Sequence, residues 1–132
     1  MIPLICAMYA TLTPAEYVEM AKLVSVEAAR GTDDEYGVAA SVMNRVWSSK
    51  FPDSVKEVIN APGQYEARMP STADSKLVAK LSSPRGQMEV CSAIDILKGR
   101  TDFKGQSQLN NRVPSEDPMF DPKGNFYHYS WQ

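Results

Sequence analysis

Residues 24–46 read VSVEAARGTDDEYGVAASVMNRV, and this stretch decides the fold. It predicts two helices joined at a tight corner. Upstream, Thr13-Pro14-Ala15-Glu16 opens the first helix: Thr13 caps, Pro14 suits the first helical position and Glu16 completes a capping box. Tyr17, Ala21, Val24 and Ala28 recur at helical spacing. Arg30 suits the negative end of the helix dipole, and Gly31 can take the left-handed conformation that stops it. Thr32-Asp33-Asp34-Glu35 then reads as a second capping box. Val38, Val42 and Val46 form one stripe with Ala39 and Met43 beside it, and the small side chains of Ala39, Ala40 and Ser41 allow a neighbouring helix close. The second helix should end near Trp47-Ser48-Ser49.

Working outward, Phe51-Pro52-Asp53 is a turn. A short helix follows from Ser54, with Val55, Val58 and Ile59 inward, and Asn60-Ala61-Pro62-Gly63 breaks it. Gln64-Tyr65-Glu66-Ala67 reads as irregular or extended. A short helix is expected over 74–81. A longer one runs from Ser83-Pro84 to Lys98, with Gly99 as its stop and Met88, Cys91, Ile94 and Leu97 as its expected buried face. Residues 102–132 are rich in Gly, Pro, Asn and aromatics, which predicts loops and a short hairpin laid over the helices, with a strand within 125–131. The apolar start, MIPLICAMYA, is expected to be a strand or coil packed on the core rather than a docking segment. It is too short to span a bilayer and lacks the positive n-region of a signal peptide. The whole reads as a mainly α protein, one domain over 1–132 with an apolar segment at 1–12.

The 132 residues suit one core, and a net charge of −2 with no basic stripe argues against nucleic acid as a partner. A single histidine, His128, and two widely separated cysteines leave no metal-site spacing, so no metal and no cofactor are expected. Cys6 and Cys91 are either disulfide-bonded or free. Two half-buried free thiols, made in a reducing compartment, are the expectation.

Glu27 is the leading chemical candidate. A carboxyl becomes a general acid at neutral pH when its surroundings disfavour the charge, and Glu27 lies among Val24, Val26 and Ala28 near a helix C-terminus. The plainer alternative is a surface Glu paired with Lys22 or Arg30. Glu66, after the Pro-Gly break and beside Gln64 and Tyr65, is the second carboxyl, either a glycosidase partner or a solvated loop residue. Asp33, Asp34 and Glu35 read more simply as helix capping. His128 has no nucleophile elbow to serve and fits an aromatic strand as a packed residue. Tyr65, Tyr127, Tyr129 and Trp131 are either sugar platforms or packing, and Gln106–Asn111 supplies amides suited to hydroxyls or to solvent.

Glu27-Ala28-Ala29-Arg30-Gly31 followed by Val38-Ala39-Ala40-Ser41-Val42-Met43-Asn44-Arg45-Val46 resembles the SleB-like cell wall hydrolase family, the spore-cortex-lytic type. Phe51-Pro52, Val58-Ile59, Pro62-Gly63-Gln64-Tyr65-Glu66-Ala67 and Gly124-Asn125-Phe126-Tyr127-His128-Tyr129 extend the likeness. Ala29 is additional to the family pattern, and the loop before Val38 is shorter. The resemblance implies a small lysozyme-like fold and cleavage of the β-1,4 bond between N-acetylmuramic acid and N-acetylglucosamine. It places the catalytic acid at Glu27. Gln64, Tyr65, Glu66 and Tyr127 are expected to line the groove, while Arg30 and Asn44 hold the helix corner. A lytic transglycosylase, which needs one carboxyl group, suits this chain best. The partners implied are peptidoglycan glycan strands and, for a phage enzyme, phage-particle proteins. The implied setting is synthesis in a host cytoplasm without a signal peptide, then action on the wall after holin release or from the particle. The alternative is a non-catalytic structural particle component that keeps the lysozyme-like fold.

Overall fold

A computed structural model describes residues 3–65, 69–106 and 116–130. Six helices and one strand pair follow in order: α1 Leu4–Ala10, α2 Pro14–Glu27, α3 Asp34–Trp47, α4 Val55–Asn60, α5 Ser75–Ser82, α6 Pro84–Leu97, β1 Asp102–Lys104 and β2 Phe126–His128. None of these helices is long and apolar enough to cross a membrane.

The corner stretch supplies the axis of the molecule. In α3, every residue from Asp34 to Val46 is buried, and only Trp47 faces out. A helix buried on all sides must admit neighbours on all sides, and Ala39, Ala40 and Ser41 permit that. Its broadest contact is with α6, and α1, α2 and α4 also pack on it. Gly37 leaves room for the C-terminal segment, since a Cβ there would lie 2.6 Å from the Tyr127 hydroxyl.

The expected capping box at Thr13 forms, with Glu16 N–H donating to Thr13 Oγ1 at 3.2 Å and Thr13 N–H to Glu16 Oε1 at 2.9 Å. Ser54, Asp74 and Ser83 cap α4, α5 and α6 through their side chains. The second expected capping box does not form. Asp33 is the N-cap of α3 but makes no side-chain cap bond. Glu35 instead accepts from the Gly31 N–H and is buried between Arg30 and Lys80. Helix α2 stops at Glu27, three residues before the expected Arg30, because Ala28 already turns extended (φ −127°, ψ 145°).

The buried face of α6 also differs from expectation. Val90, Ala93, Ile94 and Leu97 face the core, whereas Met88 is 70% exposed. Cys91 points toward α1, which accounts for the rotation. The N-terminal segment is a helix, not a strand or coil. It packs through Cys6 and Tyr9, and the Tyr9 hydroxyl donates to the Leu81 carbonyl at 2.7 Å. Cys6 and Cys91 are joined in a disulfide, with Cα atoms 5.2 Å apart. The expectation of free thiols is therefore corrected. Eighty-five residues separate the two in sequence, and only the packing of α1 on α6 brings them together.

β1 and β2 pair antiparallel with Asp102 opposite His128, Phe103 opposite Tyr127 and Lys104 opposite Phe126. This small ribbon lies beside the N-terminal end of α3, where Tyr127 meets Asp34.

Candidate active site

The end of α2, the last turn of α3, the segment after α4 and the β1–β2 ribbon enclose a cavity of about 260 Å³. Glu27 reaches it from α2, Arg45 from α3, and Gln64 and Tyr65 from the segment beyond α4. Asp102, Phe103 and Lys104 face it from β1, and Asn125 and His128 from β2 and its approach. Three of the residues expected at the site thus converge, Glu27 from α2 and the adjacent pair Gln64 and Tyr65 from the segment beyond α4.

Arg45 organises one wall. Its guanidinium is buried, donating from Nε to the Thr101 carbonyl at 2.8 Å and from a terminal nitrogen to Gln64 Oε1 at 2.9 Å. It also pairs with Asp102 at 3.2 Å and lies 4.5 Å over the Tyr65 ring. Asp102 accepts a further hydrogen bond from the Thr101 hydroxyl at 2.9 Å. Tyr65 stacks on Phe103 at 6.3 Å between centroids. Burial pushes the Tyr65 phenol far above its usual range, an effect that Arg45 opposes and the nearby acids Asp102 and Glu27 reinforce. Tyr65 therefore stays a neutral phenol at any working pH. His128 Nδ1 is 2.9 Å from the Tyr129 carbonyl, so Nδ1 carries a proton and donates it to that oxygen.

The opposite wall is held by Asp34. Its side chain is buried and accepts from the Tyr127 hydroxyl on Oδ1 at 2.5 Å and from Asn125 Nδ2 on Oδ2 at 2.6 Å. Burial raises the Asp34 pKa above the ordinary carboxylate value, and the bonds from Tyr127 and Asn125 only partly offset that. Asn125 Nδ2 also donates to the backbone carbonyl of Glu27 at 2.9 Å.

Tyr127 was expected in the groove, but it is fully buried and its hydroxyl is held by Asp34. A ring with no exposed surface cannot stack on a sugar, so Tyr127 supports the site from beneath. Asp34 and Glu35, read from sequence as helix capping, are buried members of two polar networks. Glu66 and residues 107–111 lie outside the described residues, as does Trp131. Arg30 has the structural place at the helix corner that was expected, whereas Asn44 lies at the opposite end of α3. Arg30 pairs with Glu35 and Asp74, and Asn44 donates to the Arg100 carbonyl. Sequence reasoning missed Arg45, Asp102, Lys104 and Asn125. Arg45 and Asn125 did carry a signal, since each sits inside a motif quoted above.

A second, larger concavity of about 900 Å³ runs between α1 and α6, lined by the disulfide, Pro3, Met88 and Ile94 among others. It shares no residue with the Glu27 cavity. Its lining is mostly apolar, with Asp95 as its single acid.

The profile of the cell wall hydrolase family matches residues 30–121. The chain belongs to that family. As a cell wall hydrolase it acts on peptidoglycan. The matched stretch of this cell wall hydrolase takes in Arg45, Gln64, Tyr65 and Asp102 and begins three residues after Glu27. Comparisons with curated proteins and with solved structures return no match.

Proposed function

We propose that the chain is a lytic transglycosylase that cleaves the β-1,4 bond between N-acetylmuramic acid and N-acetylglucosamine, with Glu27 as its one acid/base. The protonated carboxyl gives its proton to the glycosidic oxygen as the bond to C1 of muramic acid breaks. The resulting carboxylate takes the proton of the C6 hydroxyl, and O6 closes on C1. The products are a 1,6-anhydro end and a free 4-hydroxyl, and Glu27 is protonated again. No water is consumed.

The observation that carries this reading is the composition of the cavity. Its lining carboxyls are Glu27 and Asp102, and Asp102 is bound by Arg45 and Thr101. Asp102 Oδ1 accepts from both Arg45 and the Thr101 hydroxyl, so Asp102 is anchored as an acceptor in the wall and Glu27 is left as the candidate proton donor. Gln64 and His128 add amide and imidazole groups of the kind that bind glycan hydroxyls and acetamido groups. The second reading, a water-using muramidase, is favoured by the same Asp102, a second carboxyl that lines the cavity with Glu27. The disulfide suits work outside a reducing cytoplasm, in keeping with a wall enzyme released by a holin or carried on a phage particle.

Digestion of purified peptidoglycan, with products read by mass spectrometry, tests the reading. Wild type should release 1,6-anhydro muropeptides and Glu27→Gln almost none. Reducing ends from wild type would make water the acceptor and establish a muramidase, its second group then sought with Asp102→Asn and Glu66→Gln. Wall binding by folded wild type without any product would establish the structural particle component.

A further inference from the structure

We propose that Asn125 and Asp34 are positioning residues for Glu27: the buried Asp34 carboxylate orients Asn125, whose side-chain amide holds the carbonyl of Glu27 at the end of α2. This rests on the reading of Glu27 as the acid/base.

The last carbonyls of a helix have no partner within the helix and need one from outside. At the end of α2 the partner of the Glu27 carbonyl is Asn125 Nδ2, from a residue 98 positions away in sequence. The amide of Asn125 is itself held. Its Nδ2 donates to Asp34 Oδ2 at 2.6 Å, and its backbone N–H donates to the same oxygen at 3.3 Å. The other Asp34 oxygen is taken by Tyr127. One side-chain amide therefore bridges the C-terminus of α2 and the first residue of α3, across the corner that carries the acid.

The backbone is shaped to let this happen. A Cβ on Gly124 would lie 3.1 Å from Asp34 Cγ and 3.2 Å from Asp34 Oδ2, so a side chain there would press on the carboxylate that Asn125 must reach. The motif Gly124-Asn125-Phe126-Tyr127 thereby acquires a physical reason: room at Gly124, the bridge at Asn125 and the buried donor at Tyr127. Ala28 turns extended, so the peptide that follows Glu27 is the last one of α2: its N–H donates to the Val24 carbonyl at 3.0 Å, and its carbonyl is held by the tertiary bond from Asn125. The side chain of Glu27 is rooted on the residue whose carbonyl is held, and displacement of a catalytic group by about 1 Å costs on the order of a hundredfold in rate.

The test uses soluble glycan strands from purified peptidoglycan, with kcat and KM measured well below each variant's Tm. Asn125→Ala removes the bridge. Asn125→Asp keeps its size but replaces the donor with an acceptor, and Asp34→Asn disorders the amide from the other side, so a folding failure in one leaves the others to read. Tyr9→Phe, which loses a buried hydrogen bond to Leu81 far from the cavity, controls for lost stability alone. The expected result is a kcat lowered roughly 10- to 100-fold in the Asn125 variants, with KM within about twofold and kcat unchanged in Tyr9→Phe. In a Glu27→Gln background, Asn125→Ala should lower turnover little further. Wild-type kcat in Asn125→Ala, a loss confined to KM, or full additivity with Glu27→Gln overturns the proposal while leaving Glu27 as the acid. Wild-type turnover by Glu27→Gln itself overturns the catalytic reading, and the positioning role falls with it.

Discussion

Two concavities of this protein are built by opposite means. Around Glu27, a cavity of about 260 Å³ is walled by hydrogen bonds and ion pairs that tie remote segments to one another through Arg45 and Asp34. Between α1 and α6, a groove of about 900 Å³ is walled by apolar side chains and closed by one covalent bond, Cys6–Cys91. The larger and more apolar hollow holds no candidate chemistry. The smaller one gathers two acids, a buried Arg, an imidazole and two amides. Polar convergence, not volume, marks the site, because bond cleavage in a glycan needs placed proton donors and acceptors.

Four expected outcomes test that contrast. The largest effect is at the acid. Glu27→Gln should lower peptidoglycan turnover by about 10²- to 10⁴-fold while Tm stays close to wild type, since it keeps the size of a half-buried side chain. A retained rate would move the site elsewhere, and the contrast would collapse. Next comes the disulfide. Cys6→Ser opens a link spanning 85 residues and should cost about 2–4 kcal/mol of stability, or roughly 10 °C in Tm, with kcat at 25 °C unchanged. Calorimetry with and without reductant reads it, and a selective loss of kcat would mean that the two ends of the molecule are coupled.

The third outcome concerns pH. The Asp34 pKa is raised in the folded protein above its ordinary value of 3.8, chiefly by burial. The folded state thus holds this proton more tightly than the unfolded chain does. The stability this group contributes is fully present below about 3.8 and is lost as pH rises through the shifted value. The Tm advantage of wild type over Asp34→Asn should therefore be greatest in acid and narrow as pH rises, and a gap that widens instead would reverse the sign. The smallest effect is expected on the far groove. Met88 is 70% exposed there, and Met88→Gln should change stability by less than about 0.5 kcal/mol and leave wall digestion intact. Weaker wall binding by that variant would bring the groove into substrate contact.

Local patterns were legible where a local cause sufficed. Thr13, Ser54, Asp74 and Ser83 cap the helices they were expected to open, because a cap bonds within three residues of itself. Elsewhere a distant partner outbid the local pattern. Thr32 to Glu35 has the spacing of a capping box, yet Glu35 goes to Arg30 and Lys80. Cys91 sits at helical spacing with Ile94, yet α1 draws it off the core face of α6.

The same division runs through the site and the whole protein. From the sequence alone come a mainly α chain, the corner at Gly31, the long helices and a family resemblance that singles out Glu27, Gln64 and Tyr65. These rest on periodicity, on turn chemistry and on short motifs, all of which act over a few residues. The tertiary structure alone placed Arg45 and Asp102 in the cavity, buried Tyr127 beneath it, joined Cys6 to Cys91 and set Asn125 on the carbonyl of Glu27. Each of these depends on where segments 50 to 100 residues apart come to rest. Short-range spacing carries no information about such distances, whereas packing around a helix buried on every side fixes them.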